Sequence, residues 1–306
     1  MKGLATFVMR GPSQAALVAA VMALLSVLVP PLALLSAAAI GLVSLRGGML
    51  PGLLVVGIAT LGLGALAWLS LGSPWAAAGM LVMLWMPTLG LAAVLRLTRS
   101  LRLAVQLAGV LGILVLLLVH AFVADPAAGW LQVLEPFREA LVKDGLVGEG
   151  DSVAVFAALS RWMTGAFTAA LVFQWLLGLF IARWWQAVLF NPGGFGDEFR
   201  ALGVGRVFGG LTLALMALLP FVDGGNLVTD VLLVTSVLLL LQGLAVAHQV
   251  RARRQARGGW LVGLYVLVVL FMPQSLILLA CVGLVDTWAD LRARVAPRGP
   301  STGAPD

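Results

Sequence analysis

The chain has 306 residues, 61% of them hydrophobic and only 10% charged, with a mean hydropathy of +1.07. A soluble domain carries about 25% charged residues, so composition excludes a water-soluble globular fold and predicts a polytopic helical membrane protein. The formal charge of +6 predicts no nucleic-acid partner, because the arginines sit at the ends of apolar runs, where the positive-inside rule accounts for them.

In chain order, Lys2 and Arg10 precede a first apolar run that continues straight into others, which predicts an uncleaved first span rather than a cleaved signal. Residues 14–45 are long for one span and carry Pro30-Pro31 in the middle; residues 258–290 repeat the pattern with Pro273-Gln274. Proline inside a helix removes a backbone hydrogen bond and clashes with the preceding turn. Each stretch is therefore either a hairpin of two short helices or one long kinked helix. With both hairpins the segments are about 14–29, 32–45, 50–71, 75–95, 102–123, 154–186, 206–221, 228–249, 258–272 and 274–290. An acidic external segment, 124–153, carries Trp130, Leu134, Phe137 and Leu141 at helical spacing, which predicts an amphipathic helix lying flat on the outer leaflet or closing an outward cavity. A cytoplasmic turn is placed at 187–205, and the Pro-, Gly- and Ser-containing tail 297–306 is expected to be disordered. Most tryptophans fall near predicted span ends; Trp85 and Trp175 fall near a midplane.

Arginine placement orients the threading. Ten segments with a cytoplasmic N-terminus put 16 basic residues inside and only Arg138, Lys143 and Arg161 outside. Eight long spans with external termini divide them 11 against 8. The charge rule favours ten; segment length alone favours eight, since half-hairpins of 14 to 16 residues are short. The expectation is an all-α transmembrane bundle of eight to ten segments with Pro-broken first and last hairpins. It forms one integral membrane domain over 1–296, in a bacterial inner membrane, with both termini cytoplasmic.

Catalytic, metal and cofactor chemistry find no footing. His120 and His248 fall at opposite faces, Cys281 stands alone, and no nucleophile, base or ligand set clusters, so neither a metal site nor an enzyme is expected. Polar residues within spans are the better clue. Gln106, Gln174 and Gln242 lie inside three spans, with Gln274 at the second proline break; they either bond between helices or line a small cavity for a solute. Arg161, Asp223, Asn226 and Asp230 are either solvated loop charges or an outer ion-pair network. Ala15, Ala19 and Ala23 form a small-residue stripe, and Gly205 and Gly209 another. Such stripes serve packing within the chain or docking of a membrane partner subunit.

The most distinctive stretch runs from Arg183 to Arg200. Its Asn191-Pro192-Gly193-Gly194-Phe195 is a sharp turn signal, followed by Glu198-Phe199-Arg200. No strand precedes it and no Gly-Lys-Ser/Thr follows, so it is not a phosphate loop. Together with the Pro-broken hairpins and the terminal Gly283-Leu284-Val285-Asp286-Thr287-Trp288, this turn resembles the YybS-like family of bacterial membrane proteins. The chain also distantly resembles the substrate-binding S components of energy-coupling-factor transporters. That resemblance implies that Ala15, Ala19 and Ala23 dock a coupling subunit. Two functions follow as expectations. One is a solute-binding or transport-related protein that uses the glutamines; the other is a non-catalytic accessory or scaffold that acts through its cytoplasmic loops.

Overall fold

The computed structural model describes residues 1–222, 224–255 and 259–295. The tail expected to be disordered and Asp223 lie outside the described residues, within which no strand occurs. The helices are α1 Lys2–Val8, α2 Pro12–Leu25, α3 Leu32–Gly47, α4 Met49–Leu71, α5 Trp75–Met80, α6 Met86–Thr98, α7 Leu101–Phe122, α8 Pro126–Lys143 and α9 Glu149–Phe190. They continue with α10 Gly194–Arg200, α11 Gly205–Leu218, α12 Leu227–Arg254, α13 Gly259–Leu270 and α14 Gln274–Ala289. A π turn, Leu81–Trp85, joins α5 to α6.

Five helical stretches are long and apolar enough to cross a membrane: 49–69, 75–98, 101–122, 149–190 and 227–254. A sixth appears if α10 and α11, bent by 45° at their break, count together. The first and last apolar stretches are each two helices, broken at the predicted prolines. The halves have 14, 16, 12 and 16 residues, short of the roughly 20 that a full crossing takes. The structure thus supplies a helix at each of the ten expected segments, but full-length spans at only five or six.

Helix ends follow local chemistry. Ser100 caps α7 and Asp125 caps α8 through their side chains. Asn226 and Thr229 close a capping box at the start of α12, satisfying amides that a helix N-terminus leaves open. Gly48 at φ 100° and Gly72 at φ 67° terminate α3 and α4 in backbone conformations that glycine tolerates.

Packing resolves the two midplane tryptophans. α2 folds back on α3, and the Ser36 hydroxyl donates to the Ala19 carbonyl at 2.7 Å. The same hydroxyl accepts the Trp85 indole N–H at 2.9 Å, so a fully buried tryptophan keeps its donor paired. Pro87 lacks an N–H and its ring crowds the carbonyl four residues earlier, that of Met83. The π turn sits at this point, and Trp175 from α9 donates its indole N–H to the Met83 carbonyl at 2.5 Å. One contiguous apolar cluster runs from α1 to α12. Its tightest crossing is α12 on α14, where a Cβ at Gly243 or Gly283 would meet the partner helix's backbone. No residue of α13 is buried.

Candidate functional site at the arginine-rich end

Arginines in the last turns of α3, α6 and α12, on α9 and just beyond α14 gather at one end of the bundle, linked by hydrogen bonds: Arg96 donates to the Arg46 carbonyl, Arg253 to the Arg292 carbonyl, and Arg292 to the Arg200 carbonyl. The acidic segment lies at the other end.

At the arginine-rich end, the loop between α10 and α11 is clamped by side chains from three helices. Gln242 on α12, 1% exposed, accepts the Val204 N–H at 2.8 Å and donates to Asp286 on α14, also at 2.8 Å. Gln106 on α7 donates to the Val204 carbonyl at 2.8 Å. Arg292 completes the network, donating to Asp286 at 2.8 Å and to the Leu202 carbonyl at 2.9 Å. Buried polar groups are tolerable when they are hydrogen-bonded; here Asp286 Oδ2 takes both donors, and Asp286 Oδ1 is left buried without one. Thr287 lies 3.4 Å from Gln242, and Trp288 stands against Gly209, so the terminal Gly283-to-Trp288 motif is consumed by packing and by this clamp.

Next to the clamp, the Arg183–Arg200 stretch forms a projecting turn on a fixed base. Asn191, Pro192 and Gly193 are exposed, and Gly193 sits at φ 89°, a left-handed conformation suited to glycine. α10 then turns inward. Phe195 and Phe199, four residues apart, meet the Phe180 ring at 5.9 and 5.7 Å, and Phe199 meets His248 edge-on at 5.3 Å. Glu198 receives a two-pronged contact from Arg183, at 2.9 and 2.5 Å. Arg200 pairs with Asp197 one turn back. The Asn191 side chain lies over Gly194, where a Cβ would displace it.

Between this turn and the ends of α3 and α6 lies a cleft of about 400 Å³, walled by Arg46, Arg96, Arg99, Arg183, Gln186 and Glu198. Arg96 donates to the Leu45 carbonyl at 3.0 Å and to that of Arg46. The Arg46 guanidinium lies 4.6 Å from the centre of the Phe190 ring. Arg99 ends α6 at φ 52°, where glycine is usual.

The other end is simpler. His120 Nε2 lies 3.4 Å from Asp230, whose carboxylate is buried at the first turn of α12 against Gly165. Asp230 therefore pairs with His120 and not with Arg161, and Asn226 serves as a cap rather than in an ion-pair network. α8 packs on α9 through Trp130, whose N–H donates to Thr164 at 2.9 Å. Its inward stripe runs Trp130, Leu134, Arg138 and Leu141, while Phe137 is 64% exposed, contrary to the predicted apolar face. The Arg138 guanidinium takes the inner position because it reaches Ser152 at 3.2 Å and Glu135. That hydrogen bond from Arg138 holds the Glu135 carboxyl below its ordinary range, and Glu135 in turn raises Arg138.

Of the sequence-predicted residues, Gln106 and Gln242 come together at Val204, whereas Gln174 is half-buried on α9 outside that network. Ala15, Ala19 and Ala23 are 0%, 0% and 3% exposed, so the chain's own helices cover the stripe and no free docking face remains there. The turn residues Arg183, Asn191, Pro192, Gly193, Gly194, Phe195, Glu198 and Arg200 form one local unit. Sequence reasoning missed the roles of Asp286 and Arg292, of the His120–Asp230 pair, and of Arg46, Arg96 and Arg99 as walls of one cleft. Their only signal was a carboxylate or arginine placed beside an apolar run. Searches against protein-family profiles, curated proteins and solved structures give no match.

Proposed function

We propose that the chain is a multi-pass bacterial inner-membrane protein of ten segments, YybS-like, with both termini cytoplasmic. In this reading it is a non-catalytic accessory protein that works through its cytoplasmic face. The observation that carries the reading is the exposed Asn191-Pro192-Gly193 tip, held out on a base that Arg183 grips through Glu198 and that Phe195 and Phe199 anchor. A tip of this kind is presented without internal packing of its own, while its support is rigid, which is how binding loops are carried on a scaffold. The transport-related reading asks Gln106, Gln174 and Gln242 to line a solute cavity. It has less support, because the Gln106 and Gln242 amides are already bonded to Val204 and Asp286.

The test is site-specific photo-crosslinking from position 191, with the exposed Gln274 as control position. A defined adduct should form from 191, fall with Glu198→Arg alone, and return when Arg183→Glu restores the opposite-charge pair. Adducts from 191 no more abundant or specific than from 274 contradict the proposal.

A further inference from the structure

We propose that the cleft walled by Arg46, Arg96, Arg99 and Arg183 binds a phosphate-bearing anion, carried either by a lipid headgroup or by a small soluble phosphate ester. The inference concerns the ligand of this cleft and stands whether or not a protein docks at the neighbouring turn.

The argument begins with charge. Four guanidinium groups face one carboxylate, Glu198, across a cleft of about 400 Å³. The C-terminal ends of α3 and α6 also border it, each contributing at most roughly half a negative charge through the helix dipole. About two positive charges remain uncompensated, close to the charge of a phosphate monoester near neutral pH. The volume lies within the roughly 300–1,000 Å³ of small-molecule sites and exceeds what a lone ion needs.

The arrangement of the arginines adds to this. Arg183 is engaged by Glu198, and Arg96 caps the last carbonyls of α3, so these two build the walls. Arg46 and Arg99 have no carboxylate partner among the described residues. The Phe190 ring supports the planar Arg46 guanidinium, an orienting contact that a freely solvated arginine does not need. Arg99 occupies a left-handed helix-ending position where glycine is ordinarily preferred. The positive-inside tendency explains arginines at this end of the bundle. It does not explain why they converge on a concave site from three separate elements. Several planar guanidinium forks lining one cleft suit the several oxygens of a phosphate.

The experiment uses the full chain purified in a neutral detergent and, separately, in nanodiscs. One arm titrates inorganic phosphate against chloride at equal ionic strength and follows the thermal unfolding midpoint. The other compares phosphatidylcholine nanodiscs with and without phosphatidylglycerol, and reads retained phosphatidylglycerol by native mass spectrometry. The variants are R46A/R99A and the charge-keeping R46K/R99K, which serves if the alanine pair folds poorly. Phosphate stabilisation beyond chloride that weakens roughly tenfold or more in R46A/R99A, and less in R46K/R99K, supports a soluble ester. Selective phosphatidylglycerol retention lost in the same order supports a lipid headgroup. If phosphate acts no differently from chloride and phosphatidylglycerol is not selectively retained, the proposal is overturned. Responses equal in wild type and in both variants overturn it too.

Discussion

Replacing Gln242 with leucine tests how the arginine-rich end is held together, because leucine fills similar space and removes every polar contact. Gln242 accepts the Val204 N–H and donates to Asp286, and Val204 is fully buried. Leaving a buried backbone N–H without an acceptor costs about 1–3 kcal/mol, and losing a hydrogen bond to a carboxylate costs about 1.5–3 kcal/mol. Arg292 still pairs with Asp286 after the change, so the second loss is partly offset. Interhelical hydrogen bonds measured within membranes also fall near 0.6–1.7 kcal/mol. The expected destabilisation is therefore about 2–4 kcal/mol. Gln106→Leu, which removes one bond to the Val204 carbonyl, should cost about 1 kcal/mol. Gln174→Leu, outside the network, and Gln274→Leu, exposed at the start of α14, should stay within about 0.5 kcal/mol. Reversible unfolding in mixed micelles with increasing SDS fraction measures all four. If Gln174→Leu is as damaging as Gln242→Leu, the clamp is not what the glutamines provide and the reasoning fails.

Further predictions follow the same logic. Ser36→Ala leaves the buried Trp85 indole without its acceptor and should cost about 1–3 kcal/mol, with most of that loss absent in a Trp85→Phe background; additive losses in the double-mutant cycle count against the contact. Gly283→Ala places a methyl against the α12 backbone and should cost about 1–3 kcal/mol or more, whereas Gly57→Ala, with open space around it, should be neutral or slightly stabilising by the same unfolding assay. The hydrogen bond from Arg138 lowers the Glu135 carboxyl, so its stabilising contribution is complete above the ordinary carboxylate range and is lost as pH falls through the lowered value. Hydrogen exchange should accordingly show α8 loosening at acid pH, and Glu135→Gln should remove that part of the pH dependence.

The fold was legible wherever solvation decides it. Charge-free runs marked each long apolar helix, and Pro30-Pro31 and Pro273 marked the breaks, because both signals are local. Lengths were less legible. α9 runs from Glu149 to Phe190, 42 residues or about 63 Å, about twice a hydrocarbon core, because Glu149 and Asp151 favour a helix start rather than ending the span. α1 stood apart from α2 unforeseen, since Gly11-Pro12 reads equally as a loop or as a helix start.

Partnerships were the hardest to read. Nothing in the spacing of Gln106, Gln242 and Asp286 says that they meet at Val204, since that requires the packing of three helices distant in sequence. The π turn before Pro87 had a local cause, but the Trp175 donor that satisfies the Met83 carbonyl comes from residues far along the chain. The Asn191–Arg200 turn was visible from its Pro and Gly residues. Its anchoring by Arg183 was not, because only the helical phase of α9 brings that side chain under Glu198.

Sidedness is the measurement that bears most directly on the account. In a Cys281→Ser background, single cysteines at exposed positions 191 and 144 are probed with a membrane-impermeant maleimide on intact and on opened cells. The account predicts that the cysteine at 144 reacts in intact cells and that the one at 191 reacts only after opening. Labelling of position 191 from outside intact cells, with 144 protected, contradicts it.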